Sequence, residues 1–317
     1  AQDAVPLLQA ALPAATHDVS TYLHLGRALA ETGATAAALD TLDQGLARFP
    51  SHPDLLLAAG WLHHAHHEPV RALDLAQQVV CINPLSGSAW HLQGAALHAL
   101  QRVGAAEHCL SQALTLDGTN ADAAATLATL FCSDNQWDSA QSVLSRALLH
   151  SPNHPALRLL QAEVALQRAD STLARNLVGG LLAESPQSGH LWYLLARCLL
   201  LLNRARAARG ALQRAIRYAP HHTDAMGLRA WLALEDRRLG DAKAANAQLL
   251  AMDPYSAHAN TQAAFILAEC NDLAQAGLHA ERAIAADHQS AEAWRAMGTV
   301  RLRQGQPHAA QDCFRTA

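Results

Sequence analysis

One alanine recurs every 34 residues along almost the whole chain. The series is unbroken, and it consists of Ala38, Ala72, Ala106, Ala140, Ala174, Ala208, Ala242, Ala276 and Ala310, with Ala4 in the same register. Alanine is common in this sequence, but an unbroken series in one register is not expected from composition. A fixed period of this length indicates an array of small structural repeats, each of which buries its apolar face only against its neighbours.

Two further series share the period. Twelve residues before each alanine stands a Gly or an Ala, in the order Gly26, Gly60, Gly94, Ala128, Ala162, Ala196, Ala230, Ala264 and Gly298. Twelve residues after it the chain has Pro50, Pro84, Gly118, Pro152, Pro186, Pro220, Pro254 and His288. Small residues at two fixed places let two antiparallel helices approach closely. A proline after the second helix cannot extend it and sets the turn into the next hairpin.

Composition agrees with a helical array. Hydrophobic residues make up 50% of the 317 residues, aromatic residues only 4%, and the strong helix formers Ala and Leu dominate. The net charge of −4 argues against a general electrostatic surface for nucleic acid or membranes. No run of 18 apolar residues predicts a membrane span. The six cysteines form no Cys-x-x-Cys pair, which argues against a disulfide framework or a zinc site.

The repeats resemble the tetratricopeptide repeat (TPR) family, whose signature reads Trp-x2-Leu-Gly-x2-Tyr, then Ala-x3-Phe, then Pro. The first copy carries it as Tyr22, Leu25, Gly26, Leu29, Ala38, Leu42 and Pro50. Other copies carry it as Trp192, Leu195, Ala196, Ala208, Leu212 and Pro220, and as Trp294, Met297, Gly298, Ala310 and Phe314. The resemblance covers the whole chain. It implies an all-α, right-handed superhelical solenoid of helix-turn-helix repeats.

The register divides the chain into nine tandem repeats over residues 19–317. They begin at Val19, Pro53, Gly87, Ala121, Pro155, Gly189, Thr223, Ala257 and Ala291. Residues 1–18 fit the second helix of a partial leading repeat, and the last repeat is truncated, so we expect a fragment of a larger protein. In the repeat at Thr223 the turn glycine comes late, at Gly240, which predicts a longer first helix and a shorter second helix there.

The resemblance also implies where a ligand binds. In this family ligands lie on the concave surface formed by the first helices, at repeat positions 2, 5, 6, 9, 12 and 13. Those positions hold His24, Arg27, Trp61, His64, His91, His98, Tyr193, Arg197, Trp231, His258 and Phe265. Aromatic, Arg and His side chains suit an extended peptide with apolar side chains and some acidic ones. The alternative is that some of these residues pack against neighbouring repeats. Neither the Lys and Asn set that grips chaperone carboxylates nor the Asn series of sugar-transferring members is present.

Two local clusters are candidates for other roles. His63 and His67 are four residues apart, a spacing that can hold a metal ion on a helix. Only Glu68 is near enough in the sequence to complete a site. The simpler interpretation is that these are turn residues, so no metal site is predicted. Five arginines crowd one second helix, namely Arg204, Arg206, Arg209, Arg214 and Arg217. They form either a basic docking patch for carboxylate or phosphate groups or a solvated charged face.

The sequence therefore predicts a protein-interaction scaffold that holds a protein or peptide partner in its groove. We find no catalytic motif and predict no enzyme activity, no cofactor, no nucleic-acid partner and no membrane insertion. Self-association through uncapped ends is a further expectation. The alternative functions are the substrate-recognition arm of a bacterial glycosyltransferase, sulfotransferase or hydroxylase, and the repeat array of a polysaccharide-export protein. A single Lys among 23 basic residues hints at a GC-rich bacterial gene. Scattered thiols favour the cytoplasm, with the periplasm as the alternative.

Overall fold

A computed structural model describes residues 5–7 and 18–317, and all regular secondary structure within them is α-helical. The all-α prediction is confirmed. The second helix of a partial leading repeat, predicted over residues 1–18, lies largely outside the described residues. Each repeat supplies a first helix of 13 residues and a second helix of 14 residues, except that the last second helix has 10.

The chain divides into two compact units, residues 1–168 and 169–317, which are described separately. The first unit contains α1 (Val19–Glu31), α2 (Thr35–Arg48), α3 (Pro53–Ala65), α4 (Pro69–Ile82), α5 (Gly87–Ala99), α6 (Val103–Leu116), α7 (Ala121–Ser133), α8 (Trp137–His150) and α9 (Pro155–Gln167). The second unit contains α10 (Ser171–Glu184), α11 (Gly189–Leu201), α12 (Ala205–Tyr218), α13 (Thr223–Glu235), α14 (Leu239–Met252), α15 (Ala257–Glu269), α16 (Leu273–Ala286), α17 (Ala291–Arg303) and α18 (Pro307–Thr316).

Within each unit, the recurring alanine lies at the contact between the two helices of a repeat. From Ala38 to Ala310 every member of the series within the described residues is at most 1% exposed, as predicted. The Gly/Ala series faces it from the first helix and is also buried. A Cβ atom on Gly94 would lie 2.6 Å from Leu110 Cγ, and one on Gly298 would lie 2.5 Å from Phe314 Cε1. At these two crossings glycine leaves room for the large side chain that the second helix carries.

Tryptophan near the start of a first helix ties that helix to the preceding turn. The indole Nε1 groups of Trp90, Trp192 and Trp294 donate hydrogen bonds of 2.8, 2.8 and 2.9 Å to the carbonyl oxygens of Pro84, Pro186 and His288. Those carbonyls belong to the position of the proline series, so the tryptophan and the proline act on the same turn. These bonds give a physical reason for the tryptophan of the repeat signature.

The turn within each repeat is built on one residue with a left-handed backbone. The residues are Gly33 and Gly305, with φ of 79° and 76°, and His67, Gln101, Asn135, Ala169, Asn203, Arg237 and Asn271, with φ between 56° and 61°. All nine occupy the same repeat position. The sequence did not reveal this series because the residue type varies from repeat to repeat, while the backbone conformation does not.

The expectation of altered helix lengths at Thr223 is wrong. Helix α13 has 13 residues and α14 has 14, as in the other repeats. The reason is that Arg237, with φ of 59°, makes the turn at the usual position, and Gly240 lies inside the first turn of α14. Glycine is preferred in the left-handed region, but it is not required there when helix packing on both sides fixes the turn.

Gln101→Gly should stabilise the protein by about 0.5–1 kcal/mol, because glycine relieves the cost of a left-handed L-residue. The matched change Gln78→Gly, at an exposed position inside α4, should destabilise it by about the same amount. Urea denaturation of both variants tests the pair. Equal destabilisation by both changes would show that the turn residue is unstrained.

Within each unit, first helices contact first helices of the next repeat. Such contacts join α1, α3, α5, α7 and α9 in sequence in the first unit, and α13, α15 and α17 in the second. Among the described residues, second helices make no comparable contact with each other. The first-helix face is therefore the more tightly packed face of each unit. None of the helices in the described part of the chain is both long and apolar enough to cross a lipid bilayer.

Candidate functional site

The first-helix face of the unit 169–317 contains an open groove of about 790 Å³. We call it the α11–α17 groove. It is lined by Tyr193, Asp224, Leu228, Trp231, Leu234, Glu235, Arg237, His258, Thr261, Gln262, Phe265, Ala268, Glu269, Glu292, Arg295 and Thr299. Four of the eleven residues named from the sequence lie in it, namely Tyr193, Trp231, His258 and Phe265. Arg197 lies beside it, with its guanidinium carbon 5.9 Å from the centre of the Tyr193 ring.

Three aromatic rings from successive first helices give the groove its apolar surface. Trp231 of α13 is 44% exposed, whereas Tyr193 and Phe265 are half-buried. The Tyr193 ring packs 4.8 Å from the His222 ring, and its burial raises the pKa of its hydroxyl, which stays neutral at neutral pH. Trp231 is therefore the largest aromatic surface in the groove that is open to a partner.

Carboxylates are the second component of the groove. Four of its lining residues are acidic, Asp224, Glu235, Glu269 and Glu292. Glu269 is neutralised, because Arg237 Nη1 lies 2.6 Å from its Oε2 and Arg303 Nη2 contacts its Oε1. The other three carboxylates make no salt bridge within the described residues.

A glycine and a glutamine shape one wall. A Cβ atom on Gly227 would lie 3.1 Å from His258 Nε2, so the absent side chain gives His258 its place beside α13. Gln262 Nε2 donates a 3.1 Å hydrogen bond to the Gly227 carbonyl oxygen. That bond fixes the orientation of the amide, and the buried Gln262 Oε1 has no hydrogen-bond donor in the part of the chain that the structure describes.

The sequence interpretation did not name the acidic residues, although they occupy repeat positions that it had considered. Asp224 and Glu292 occupy repeat position 2, and Glu235 and Glu269 occupy position 13. Both positions belong to the set that the family resemblance places on the inner face. The signal was therefore present, but only aromatic, Arg and His residues were selected from those positions.

The unit 1–168 has a smaller cleft on its first-helix face. It measures about 460 Å³ and is lined by Gly26, Arg27, Ala30, Leu42, Asp54, Leu57, Ala58, Trp61, Leu62 and Ser88. Arg27 and Trp61 were both named from the sequence, and they share this cleft.

Two histidines contact the Trp61 ring. The Trp61 ring meets the His91 ring edge-on at 4.7 Å and the His64 ring at 5.8 Å. His91 is only 7% exposed, and its Nε2 lies 3.1 Å from Thr126 Oγ1. It therefore packs against Trp61 and has little surface open to solvent. Burial lowers the pKa of His91 to about 4 and also lowers the pKa of His64. His91 is therefore neutral at neutral pH. His98 is half-buried nearby.

The candidate metal motif is not assembled. His63 is buried in α3, with its Nδ1 2.8 Å from Glu68 Oε2, whereas His67 lies in the following turn with φ of 60°. The helix ends at Ala65, so the two histidines do not share a helical face. No group of three or more metal-binding side chains occurs among the residues that the structure describes.

The five clustered arginines have separate environments. Arg214 lies 4.6 Å over the Trp192 ring, Arg209 forms a 2.6 Å salt bridge with Asp236, and Arg204 is the exposed N-cap of α12. Arg206 is exposed to solvent.

Arg209 and Arg217 line a second cleft of about 560 Å³, beside α12 and α14. Arg229 and Arg238 line it as well, opposite a single carboxylate, Asp241. Arg238 bridges Asp236 and Asp241 at 3.2 and 3.3 Å. The structure therefore brings two of the five named arginines together with two others that the sequence patch did not include.

Comparison with known proteins agrees with the fold. A sequence profile described as "Tetratricopeptide repeat" matches residues 97–164 and 165–232, and a second profile of the same description matches residues 1–53 and 23–84. The helical hairpins and these matches define an all-α helical-repeat solenoid of the class that serves as protein-interaction scaffolds. The chain belongs to the tetratricopeptide repeat family. A search of curated protein sequences finds no significant match.

Solved structures of the same fold show low sequence identity. The anaphase-promoting complex hetero-tetramer Cut9-Hcn1 aligns with a TM-score of 0.67 and 15% identity over 84% of this chain, which spans only 52% of that chain. PilF of Pseudomonas aeruginosa aligns with a TM-score of 0.58 and 19% identity, over 67% of this chain and 96% of that one. The human IFIT1 dimer with PPP-AAAA aligns with a TM-score of 0.62 and 15% identity, over 99% of this chain and 86% of that one. At these identities the likeness shows the fold alone, one that is typically a non-catalytic scaffold.

Proposed function

We propose that the chain binds an extended segment of a protein partner in the α11–α17 groove, with Trp231 as the main apolar anchor. The observation that carries this proposal is the convergence of Trp231, Tyr193 and Phe265 from three first helices on one open groove that also holds several polar groups. Large, partly exposed aromatic residues in a concave site are the usual energetic centres of protein interfaces.

Two other surfaces are proposed as secondary contacts. The cleft with Arg27 and Trp61 offers a smaller aromatic surface in the unit 1–168, with His64 and His98 near it. The arginine-lined cleft beside α12 and α14 would bind carboxylate or phosphate groups, since Arg presents planar, paired donors to such anions.

Free thiols at all six cysteines agree with a reducing, cytoplasmic compartment.

Trp231→Ala should weaken partner binding by about 2 kcal/mol or more, which is about 30-fold in Kd. Peptides selected from a random displayed library against the native chain would serve as ligands, and fluorescence anisotropy would give each Kd. Because Trp231 is 44% exposed, its truncation removes contact surface without opening a core cavity, and circular dichroism should be unchanged.

Tyr255→Ala is the matched control, because Tyr255 is an aromatic residue of the same unit that is 82% exposed and lies outside the groove. Selected peptides should bind this variant with the native affinity. If the peptides lost the same affinity for both variants, or lost no affinity for either variant, the α11–α17 groove would not be the binding site.

A further inference from the structure

We propose that the α11–α17 groove selects a cationic segment, in which Lys or Arg side chains flank an apolar anchor residue. This inference rests on the proposed function and specifies the chemistry of the partner. It also reverses the sequence-based expectation that the bound peptide carries acidic side chains.

The lining of the groove carries an excess of negative charge. Asp224 and Glu235 lie on α13 and Glu292 lies on α17, and none of the three makes a salt bridge within the described residues. Glu269, the fourth lining carboxylate, is paired with Arg237 and with Arg303, which is not a lining residue. Arg295 is the other lining arginine, and its guanidinium carbon lies 5.8 Å from the centre of the Phe265 ring. Four carboxylates against two guanidinium groups leave the lining with an excess of two negative charges, which a cationic segment would neutralise.

A carbonyl oxygen in the groove wall adds partial negative charge. Gln262 Oε1 is buried and accepts no hydrogen bond within the described residues, while the amide nitrogen of the same side chain donates to the Gly227 carbonyl oxygen. Because no donor compensates this oxygen, its partial charge favours a nearby cation and disfavours a carboxylate.

The aromatic rings of the groove also favour a cationic segment. The face of an indole or phenol ring attracts cations, and an exposed Trp binds them best. The groove already shows the interaction, because Arg197 and Arg295 lie near the Tyr193 and Phe265 rings. The Trp231 ring takes part in no such contact within the described residues and is open to a Lys or Arg of the partner.

The arginine-lined cleft beside α12 and α14 has the opposite character. Four arginines line it against one carboxylate, and its lining residues are distinct from those of the groove. The unit 169–317 thus presents two surfaces of opposite charge, and a cationic segment is directed to the groove alone.

Three labelled octapeptides test the inference. They share leucine and phenylalanine at alternating positions and carry lysine, serine or glutamate between them. By fluorescence anisotropy in about 50 mM NaCl, the lysine peptide should bind about tenfold or more tightly than the serine peptide, and the glutamate peptide should bind most weakly. In about 300 mM NaCl the preference for lysine should shrink, since salt screens exposed charges.

The variant Asp224→Asn/Glu235→Gln/Glu292→Gln should lose about tenfold in affinity for the lysine peptide and less than about twofold for the serine peptide. The control Asp40→Asn/Asp43→Asn/Asp74→Asn removes the same charge from exposed positions on α2 and α4, and it should bind all three peptides as the native chain does. A loss in this control would mean that net charge, and not the groove, sets the preference.

Equal affinity for the three peptides, or a preference for glutamate, would overturn the cationic inference and leave the proposed function standing. Failure of all three peptides to bind would also overturn the inference. The proposed function is judged separately, by whether library-selected peptides depend on Trp231.

Discussion

Gly189→Ala should lower the free energy of unfolding by about 3 kcal/mol, near the upper end of the range for overpacking. Gly189 is the first residue of α11, and a Cβ atom there would lie 2.4 Å from Ala219 Cβ and 2.8 Å from the Ala215 carbonyl oxygen. Backbone atoms at the end of α12 cannot move aside as a flexible side chain can, so the hairpin itself would have to shift. Chemical denaturation monitored by circular dichroism measures the effect.

Gly87→Ala is the matched control, because Gly87 is the first residue of α5 and occupies the same repeat position. A Cβ atom there would be 3.3 Å from its nearest neighbours, the Ala113 carbonyl oxygen and Asp117 Cβ. That contact is tight but needs a shift of only a few tenths of an ångström, so the change should cost less than about 1 kcal/mol. Equal effects at the two glycines would refute the argument from backbone clearance.

Ala140→Leu should destabilise the protein by about 3 kcal/mol. Ala140 is fully buried in α8, at the crossing with α7, and the added branched side chain has no space to occupy. Thermal and urea denaturation would show the loss.

Ala105→Leu places the same larger side chain at an exposed position of α6 and should change stability by less than about 0.5 kcal/mol. If Ala140→Leu proved as mild as this control, the recurring alanine would not be the point of closest helix contact. The period of 34 residues would then need another physical explanation.

The repeat architecture could be predicted because it depends on residue size at fixed spacing. The positions of Ala140 and Gly94 hold small residues in every repeat because two helices approach closely there. A strict period makes this requirement recognisable in a single sequence. The left-handed turn could not be predicted, since His67, Gln101 and Arg237 share a conformation without sharing a chemistry. The turn of the repeat at Thr223 was wrongly predicted at Gly240, because a glycine near a turn is a strong local signal. Helix packing places that turn three residues earlier, at Arg237.

The candidate site was less predictable than the fold. Tyr193, Trp231 and Phe265 were named from the sequence because the family resemblance places their repeat positions on the inner face. Which charges stay unpaired depends on side-chain contacts between different repeats, such as that of Arg237 with Glu269. These contacts join residues about one repeat apart and leave no periodic trace, so the pairing of each groove carboxylate emerges only from the folded structure.

The contacts of Glu269 with Arg237 and Arg303 also bear on how this end of the chain unfolds. The three residues belong to three consecutive repeats, and Arg303 Nη1 also donates a 2.6 Å hydrogen bond to the Ala268 carbonyl oxygen. In a linear array each repeat is stabilised mainly by its nearest neighbours, so repeats can come apart one at a time. The shared carboxylate adds a contact among the three repeats that is worth about 1 kcal/mol or less, as for other exposed ion pairs, so the loss of one repeat removes part of the stabilisation of its neighbours. Salt, by screening the charges, would loosen that coupling and let the terminal repeat fray independently.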